Sequence, residues 1–342
     1  MFNSWMSKEG TILFILGLLL GISTWSLYGF LSHQSLPKIS ALRSSDLSNE
    51  TPYKFIDPLL SLRGVTDTPT PDMVDLQKKV QSFVDTEKNK GNVNVVSVSM
   101  RDFGRTTGFV INPDEKYLPA SLLKVQNMIA YFKASEEDSS LLNKKLLYTG
   151  AVDYNKTEIF SSSVQLEKDK FYSVDTLIQH MIKHSDNNAA SLLLGNLNSS
   201  GYIDVFTGLF KDLGITDISL TDDYITVRGY DLFFRVLYNA TYLRRDLSER
   251  ALLLLSQTDF LNGIVAGVPN DIVVSHKFGE LSLVNEQQQL LKRELHDCGI
   301  VYYPHHPYMI CIMTKGSDFS KLESVLAGIS RIVFEHQQNL YQ

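Results

Sequence analysis

The chain has 342 residues, 44% of them hydrophobic and 20% charged, an ordinary globular balance with material for one large domain or two modest ones. A net charge of -6 leaves no basic footprint, which argues against a nucleic-acid partner. Two cysteines, Cys298 and Cys311, are too few for a disulfide framework.

A short flank, 1–10, comes first. From Thr11 to Leu31 the run TILFILGLLLGISTWSLYGFL holds 21 residues without a charge, enough for a helix to cross a hydrocarbon core. No small-x-small cleavage site follows in SHQSLPKIS, so the run reads as a retained, single-pass transmembrane anchor rather than a signal peptide. Lys8, Lys38 and Arg43 fix its orientation poorly. Residues 32–72, rich in Ser, Pro, Thr and Asp, read as a stalk, with YKFIDPLLSL docking back onto the domain after it.

That domain is expected over 73–342. It opens with a helix whose apolar side is Val74, Leu76, Val80, Phe83 and Val84, with Asp72 as its cap. Two strands joined by a Gly-containing turn come next in VNVVSVSMRDFGRTTGFVINPDEKYLPAS. From Ser121 to about Tyr242 the pattern is mainly helical. Its clearest stripe is Val174, Leu177, Ile178, Met181 and Ile182, capped by Ser173. DLFFRVLYNATYL and SERALLLLSQ are further helices. Strands return in DIVVSHKFGE and in CGIVYYPHHPYMICIMTKG, a hairpin placed on Pro304–Pro307, with its cysteines on adjacent strands but diagonal to each other. A last helix buries Leu322, Val325, Leu326, Ile329, Ile332 and Val333. The fold class is therefore α+β: antiparallel strands from both ends make one sheet, with the terminal helices on one face and an all-helical subdomain on the other.

Three short motifs carry candidate chemistry. Ser121 and Lys124 lie one helical turn apart on one face, so an amine can reach a hydroxyl that needs a base to become a nucleophile. Lysine fills that role only if burial or a nearby cation lowers its pKa. Ser185-Asp186-Asn187 ends a helix in a polar run; it can relay a proton and hold an amide, or it can simply cap two helices. Lys277-Phe278-Gly279 lies on a strand, with a cation and a glycine that lets a ligand approach the backbone, although an edge-strand lysine before a turn glycine is equally ordinary. Each motif alone is weak.

In this order the three resemble the S-x-x-K, S-D-N and K-T-G signature of the serine beta-lactamase and penicillin-binding-protein (D,D-peptidase) superfamily, and the surrounding segments resemble class A beta-lactamase domains over about 73–338. The resemblance implies a five-stranded antiparallel sheet flanked by helices. It implies that Ser121 forms an acyl-enzyme, that Lys124 acts as its base and that Ser185 protonates the leaving nitrogen. Asn187 would bind the substrate's amide side chain, and Lys277 would attract its carboxylate. The backbone N–H groups of Ser121 and Glu280 would form an oxyanion hole beside Gly279. The substrate would be a beta-lactam or a D-Ala-D-Ala peptide of peptidoglycan, with the catalytic domain outside the cytoplasmic membrane. No cofactor is implied.

Two departures stand out. Phe278 replaces a hydroxyl residue that would bond the substrate carboxylate. The segment 213–234, where the family's class A members carry a deacylating glutamate, contains no Glu; of its aspartates, Asp222 and Asp223 are the candidates to stand in, on a side chain expected to be too short. Slow deacylation is therefore expected, with a D,D-peptidase or a non-hydrolytic cell-wall-binding domain as alternatives. His296, His305, His306 and the cysteines lack metal-ligand spacing, so no metal is expected. His184 and His276 flank two motifs that need neither.

Overall fold

The computed structural model describes residues 53–58 and 70–341, apart from 157, 161–163, 216–217, 220–223 and 288. The expected anchor, most of the stalk, and Asp222 and Asp223 lie outside the described residues. Among those described, no helix is long and apolar enough to cross a membrane. The chain divides into two units, residues 1–40 with 284–289, and residues 41–283 with 290–342. Of the first only the tip around Asn285 is described, where its side chain accepts from the backbone N–H groups of Gln287 and Gln289. The second unit holds the helices and the main sheet.

Helix α1 (Pro71–Asn89) leads into β1 (Val95–Asp102) and β2 (Thr107–Ile111). A mixed block comes next: α2 (Leu123–Ser135), β3 (Lys145–Tyr148), β4 (Lys170–Ser173), α3 (Val174–Lys183), α4 (Asn187–Ser199), α5 (Ile203–Asp212), β5 (Ile218–Ser219), β6 (Tyr224–Ile225), α6 (Val227–Tyr238) and α7 (Arg245–Leu255). Strands β7 (Val274–Val284), β8 (Leu290–Val301) and β9 (Tyr308–Gly316) and helix α8 (Phe319–Tyr341) complete it. The five-stranded sheet has the order β2-β1-β9-β8-β7, so strands from both ends of the chain form one sheet, as expected, joined where β1 pairs with β9. The two small hairpins β3–β4 and β5–β6 were not visible in the hydrophobic pattern.

Period-two alternation assigns the two faces of the sheet. On β9, Met309, Cys311 and Met313 enter the core shared with the helical block, while Tyr308, Ile310 and Ile312 enter the core under α1 and α8. Both faces are covered, which is why YMICIM reads as a continuous apolar run rather than an alternating one. The α3 stripe Val174, Leu177, Ile178, Met181 and Ile182 is fully buried, and the Ser173 hydroxyl caps the helix by accepting from the Thr176 N–H at 3.0 Å. Residues 53–58 do lie against the helical block. Phe55 and Ile56 are buried, and the Glu249 carboxylate accepts from the N–H groups of Lys54 and Phe55.

Two expectations are corrected. Asp72 sits in the first turn of α1 rather than at the cap, which is Thr70, and its carboxylate takes a bidentate pair of bonds from Arg105. Pro71 at N1 fixes the helix start instead, and Met73 rather than Val74 is buried. Cys298 and Cys311 are direct partners in the β8–β9 register, not diagonal, and form a disulfide. The connecting turn spans 302–307, centred a residue earlier than the prolines suggest, and this brings the two positions opposite each other. Because the bridge spans 13 residues, the oxidised protein should be more stable than the reduced one by about 3 kcal/mol. Unfolding midpoints in denaturant with and without reductant measure this, and equal midpoints would refute it.

Candidate functional site

The site forms where the helical block meets the β7 edge of the sheet. Ser121 lies in a single 3-10 turn, Ala120–Leu122, that runs straight into α2, so Lys124 stands one turn behind it. Ala120, just before the serine, holds φ at +47°, a left-handed conformation that costs a residue with a Cβ about 1–3 kcal/mol. Ser185 is strained likewise at +53°. The segment before the turn is held from the sheet. Glu294 accepts from the Leu118 N–H at 2.8 Å, and His296 Nε2 lies 3.1 Å from the Leu118 carbonyl oxygen. Burial alone would raise the Glu294 carboxyl, but bonds from His296, Lys292 and Leu118 bring it down to about 2.

The polar run 184–188 does both of the things it offered. Asp186 is the N-cap of α4, accepting from the N–H groups of Asn188 and Ala189. Burial opposes its ionisation, yet His180 at 3.5 Å and bonds from Asn155 and Ala189 keep its pKa below the ordinary carboxylate value. Capping in turn fixes Ser185 and Asn187 on either side.

Strand β7 supplies the third wall. Phe278 packs into the core under α8, stacked on Phe260 with ring centroids 4.3 Å apart, while the Lys277 amine reaches Ser185 and lies 4.2 Å from the centre of the Phe278 ring. Position 278 therefore offers packing and no hydroxyl. A Cβ on Gly279 would lie 3.2 Å from the Pro119 carbonyl oxygen and 3.3 Å from the Leu122 nitrogen. The glycine thus admits the turn that carries Ser121.

These elements converge. The Lys124 amine donates to Ser121 Oγ at 2.8 Å, to Ser185 Oγ at 3.0 Å and to the Ser185 carbonyl oxygen. The Lys277 amine donates to the same Ser185 Oγ at 2.9 Å and to the Phe278 carbonyl oxygen at 2.9 Å. One hydroxyl joins two lysines, and the chain of bonds runs Ser121–Lys124–Ser185–Lys277. All four side chains are buried. Burial brings the Lys124 pKa down to about 8, against the pull of Glu158, Asp186 and Glu280. Burial, then the charge of Lys124, pushes Lys277 well below its usual value. An amine so lowered, when neutral, can take the proton of the hydroxyl it is bonded to, which is what a serine nucleophile needs of a base.

The sequence motifs did not reveal two carboxylates here. Glu158 Oε1 accepts from Asn187 Nδ2 at 2.6 Å and lies 3.9 Å from Lys124 Nζ. Glu280, expected to contribute only its backbone N–H, also accepts through its side chain from the N–H groups of Ile159 and Phe160. Burial raises both carboxyls above the ordinary range. Glu158 lies in DYNKTEIF, a loop with no motif, and only the folded chain brings it to the site. His276 and His184 are bound elsewhere, to Asp297 at 2.8 Å and Asp259 at 2.7 Å.

An α+β domain with a buried serine–lysine pair and a second serine shared with a further lysine defines a beta-lactamase-like serine hydrolase. The model of the beta-lactamase enzyme family matches residues 75–337, and the chain belongs to that family. Solved structures share the fold. PBP-A is 17% identical, with 80% of this chain and 100% of that one covered and a TM-score of 0.63. A variant of PBP-A solved as its acyl-enzyme with penicillin G is 17% identical, covering 80% and 99%, with a TM-score of 0.65. A class A beta-lactamase from Mycobacterium abscessus is 19% identical, covering 75% and 98%, with a TM-score of 0.63. No curated protein matches the chain.

Proposed function

We propose that the protein is a membrane-anchored hydrolase, acylated at Ser121 by beta-lactams or by D-Ala-D-Ala peptides of peptidoglycan, and slow to deacylate. The observation that carries this reading is the unbroken bond chain Ser121–Lys124–Ser185–Lys277. With Lys124 near 8, about a quarter of the amine is neutral at pH 7.5 and free to take the Ser121 proton. The proton then passes to Ser185 Oγ and on to the leaving nitrogen, as the C–N bond breaks and the Ser121 ester forms. Lys277 stabilises the negative charge that develops beside Ser185. The backbone N–H groups of Ser121 and Glu280 receive the oxyanion, an assignment supported by the close packing of Gly279 on the nucleophile's turn. Each such donor contributes about 3–4 kcal/mol of transition-state stabilisation.

Slow release is inferred from the absence of any glutamate in 213–234, and the same absence favours a D,D-peptidase over a fast beta-lactamase. The charge-free run 11–31 supports the anchor. The disulfide supports an oxidising compartment outside the cytoplasmic membrane.

Intact-mass measurement of the full-length protein in detergent, incubated with benzylpenicillin, tests this. A covalent adduct that persists for many minutes and is missing in Ser121→Ala is expected. Adduct formation followed by rapid loss would identify a beta-lactamase. No adduct and no hydrolysis would overturn the reading in favour of a binding domain.

A further inference from the structure

The described residues between Tyr154 and Phe160, on either side of 157, are tied to both walls of the site. At one end, the Tyr154 N–H donates to Asn188 Oδ1 at 2.8 Å, and Asn155 bonds both the Asn187 N–H and the Asp186 carboxylate, at 2.8 and 3.0 Å. At the other end, the N–H groups of Ile159 and Phe160 are held by the Glu280 carboxylate at 2.9 and 2.8 Å. The Phe160 ring meets Phe260 at 5.2 Å and Phe319 at 5.4 Å, edge to face. Between these anchors Ile159 turns outward, 52% exposed, while the Glu158 side chain turns inward and is only 12% exposed. The segment is therefore a strap from α4 to β7, and Glu158 is the residue it aims inward.

The Glu158 carboxylate takes the Asn187 amide at 2.6 Å, and the Tyr154 carbonyl oxygen takes it at 3.2 Å. A side-chain NH2 has two hydrogens to give, and both are engaged within the chain. We propose that Glu158 sets substrate specificity by competing from within for the Asn187 amide, so that a substrate carrying an acylamino side chain seats only when the strap lets go. This rests on the reading of Asn187 as the donor to a substrate amide. A substrate with no such side chain makes no claim on that donor and escapes the competition. The contact is charge-assisted, and giving it up weakens entry of an acylamino substrate by about tenfold or more.

Acylation rates measured by intact mass on the full-length protein separate this from a simple charge effect. Benzylpenicillin carries the acyl amide and 6-aminopenicillanic acid lacks it. Removing the Glu158 charge beside Lys124 makes the neutral amine more abundant and should speed both probes alike, in Glu158→Ala and Glu158→Gln equally. Glu158→Gln keeps an oxygen that accepts from Asn187, whereas Glu158→Ala keeps none. The expected result is a further gain of about tenfold in Glu158→Ala, confined to benzylpenicillin. Equal changes for both probes, or a loss in Glu158→Ala, would overturn the proposal and leave the hydrolase reading intact. Failure of every form of the protein to take up either probe would instead overturn the hydrolase reading, and the proposal with it.

Discussion

Lys124→Met should slow acylation by benzylpenicillin about a thousandfold while leaving the fold intact. A positioned general base contributes about 10²–10⁴ in rate, and no other amine bonds to Ser121 Oγ among the described residues. The wild-type rate should rise with pH through about 8, where half of the amine is neutral, and level off a unit or more above it, and the variant should lose that dependence. Stability gives an independent check. The Lys124 pKa is depressed from 10.5 to about 8 on folding, so between those values the unfolded chain holds a proton that the folded chain has shed. Stability therefore rises with pH across this window: the contribution is complete above 10.5 and is lost as pH falls through 8. Relative to Lys124→Met, the wild type should gain about 3 kcal/mol between pH 7.5 and 10.5. Comparing the two proteins at each pH cancels the titration of the buried tyrosines. A pH-independent difference, together with an unchanged acylation rate, would remove Lys124 from the mechanism.

Ser185→Ala should cost about 10²–10⁴ in the same reaction, and the loss should depend on the leaving group. Ser185 Oγ is the only atom bonded to both lysine amines among the described residues, and in the proposed mechanism it is the route by which a proton reaches a departing nitrogen. A beta-lactam or peptide amide needs that proton. An activated ester with a stable phenolate leaving group does not, so the variant should retain much more of its activity on p-nitrophenyl esters. A parallel loss on both substrates would mean that Ser185 merely spaces the lysines.

Much of this site was legible in the sequence because its parts are local. A serine and lysine three apart on a helix must share a face, and a short polar run between two amphipathic helices must turn. The order of elements along the chain came from hydrophobic periodicity, and the α3 stripe was legible residue by residue. The packing of Phe278 was not legible, because the aromatic rings that receive it, Phe160 and Phe260, come from distant loops. The misses are non-local. The register of β8 on β9 depends on where a six-residue turn is centred, and a shift of one residue separated the expected diagonal cysteines from the observed pair. Asp72 was drawn from a cap into the first turn by Arg105, 33 residues away. Glu158 carries no local signal at all, since its meaning depends on Asn187 and Lys124.

Gly279 has a broader consequence. Its packing on Pro119 and Leu122 is a contact of the β7 backbone with the turn that holds the nucleophile, with no side chain of β7 interposed. The residues on either side are committed elsewhere: Phe278 stacks on Phe260, and the Glu280 carboxylate holds the N–H groups of Ile159 and Phe160. The distance from strand to hydroxyl is set by backbone packing at one glycine, so a side chain placed there would press on the turn that carries Ser121.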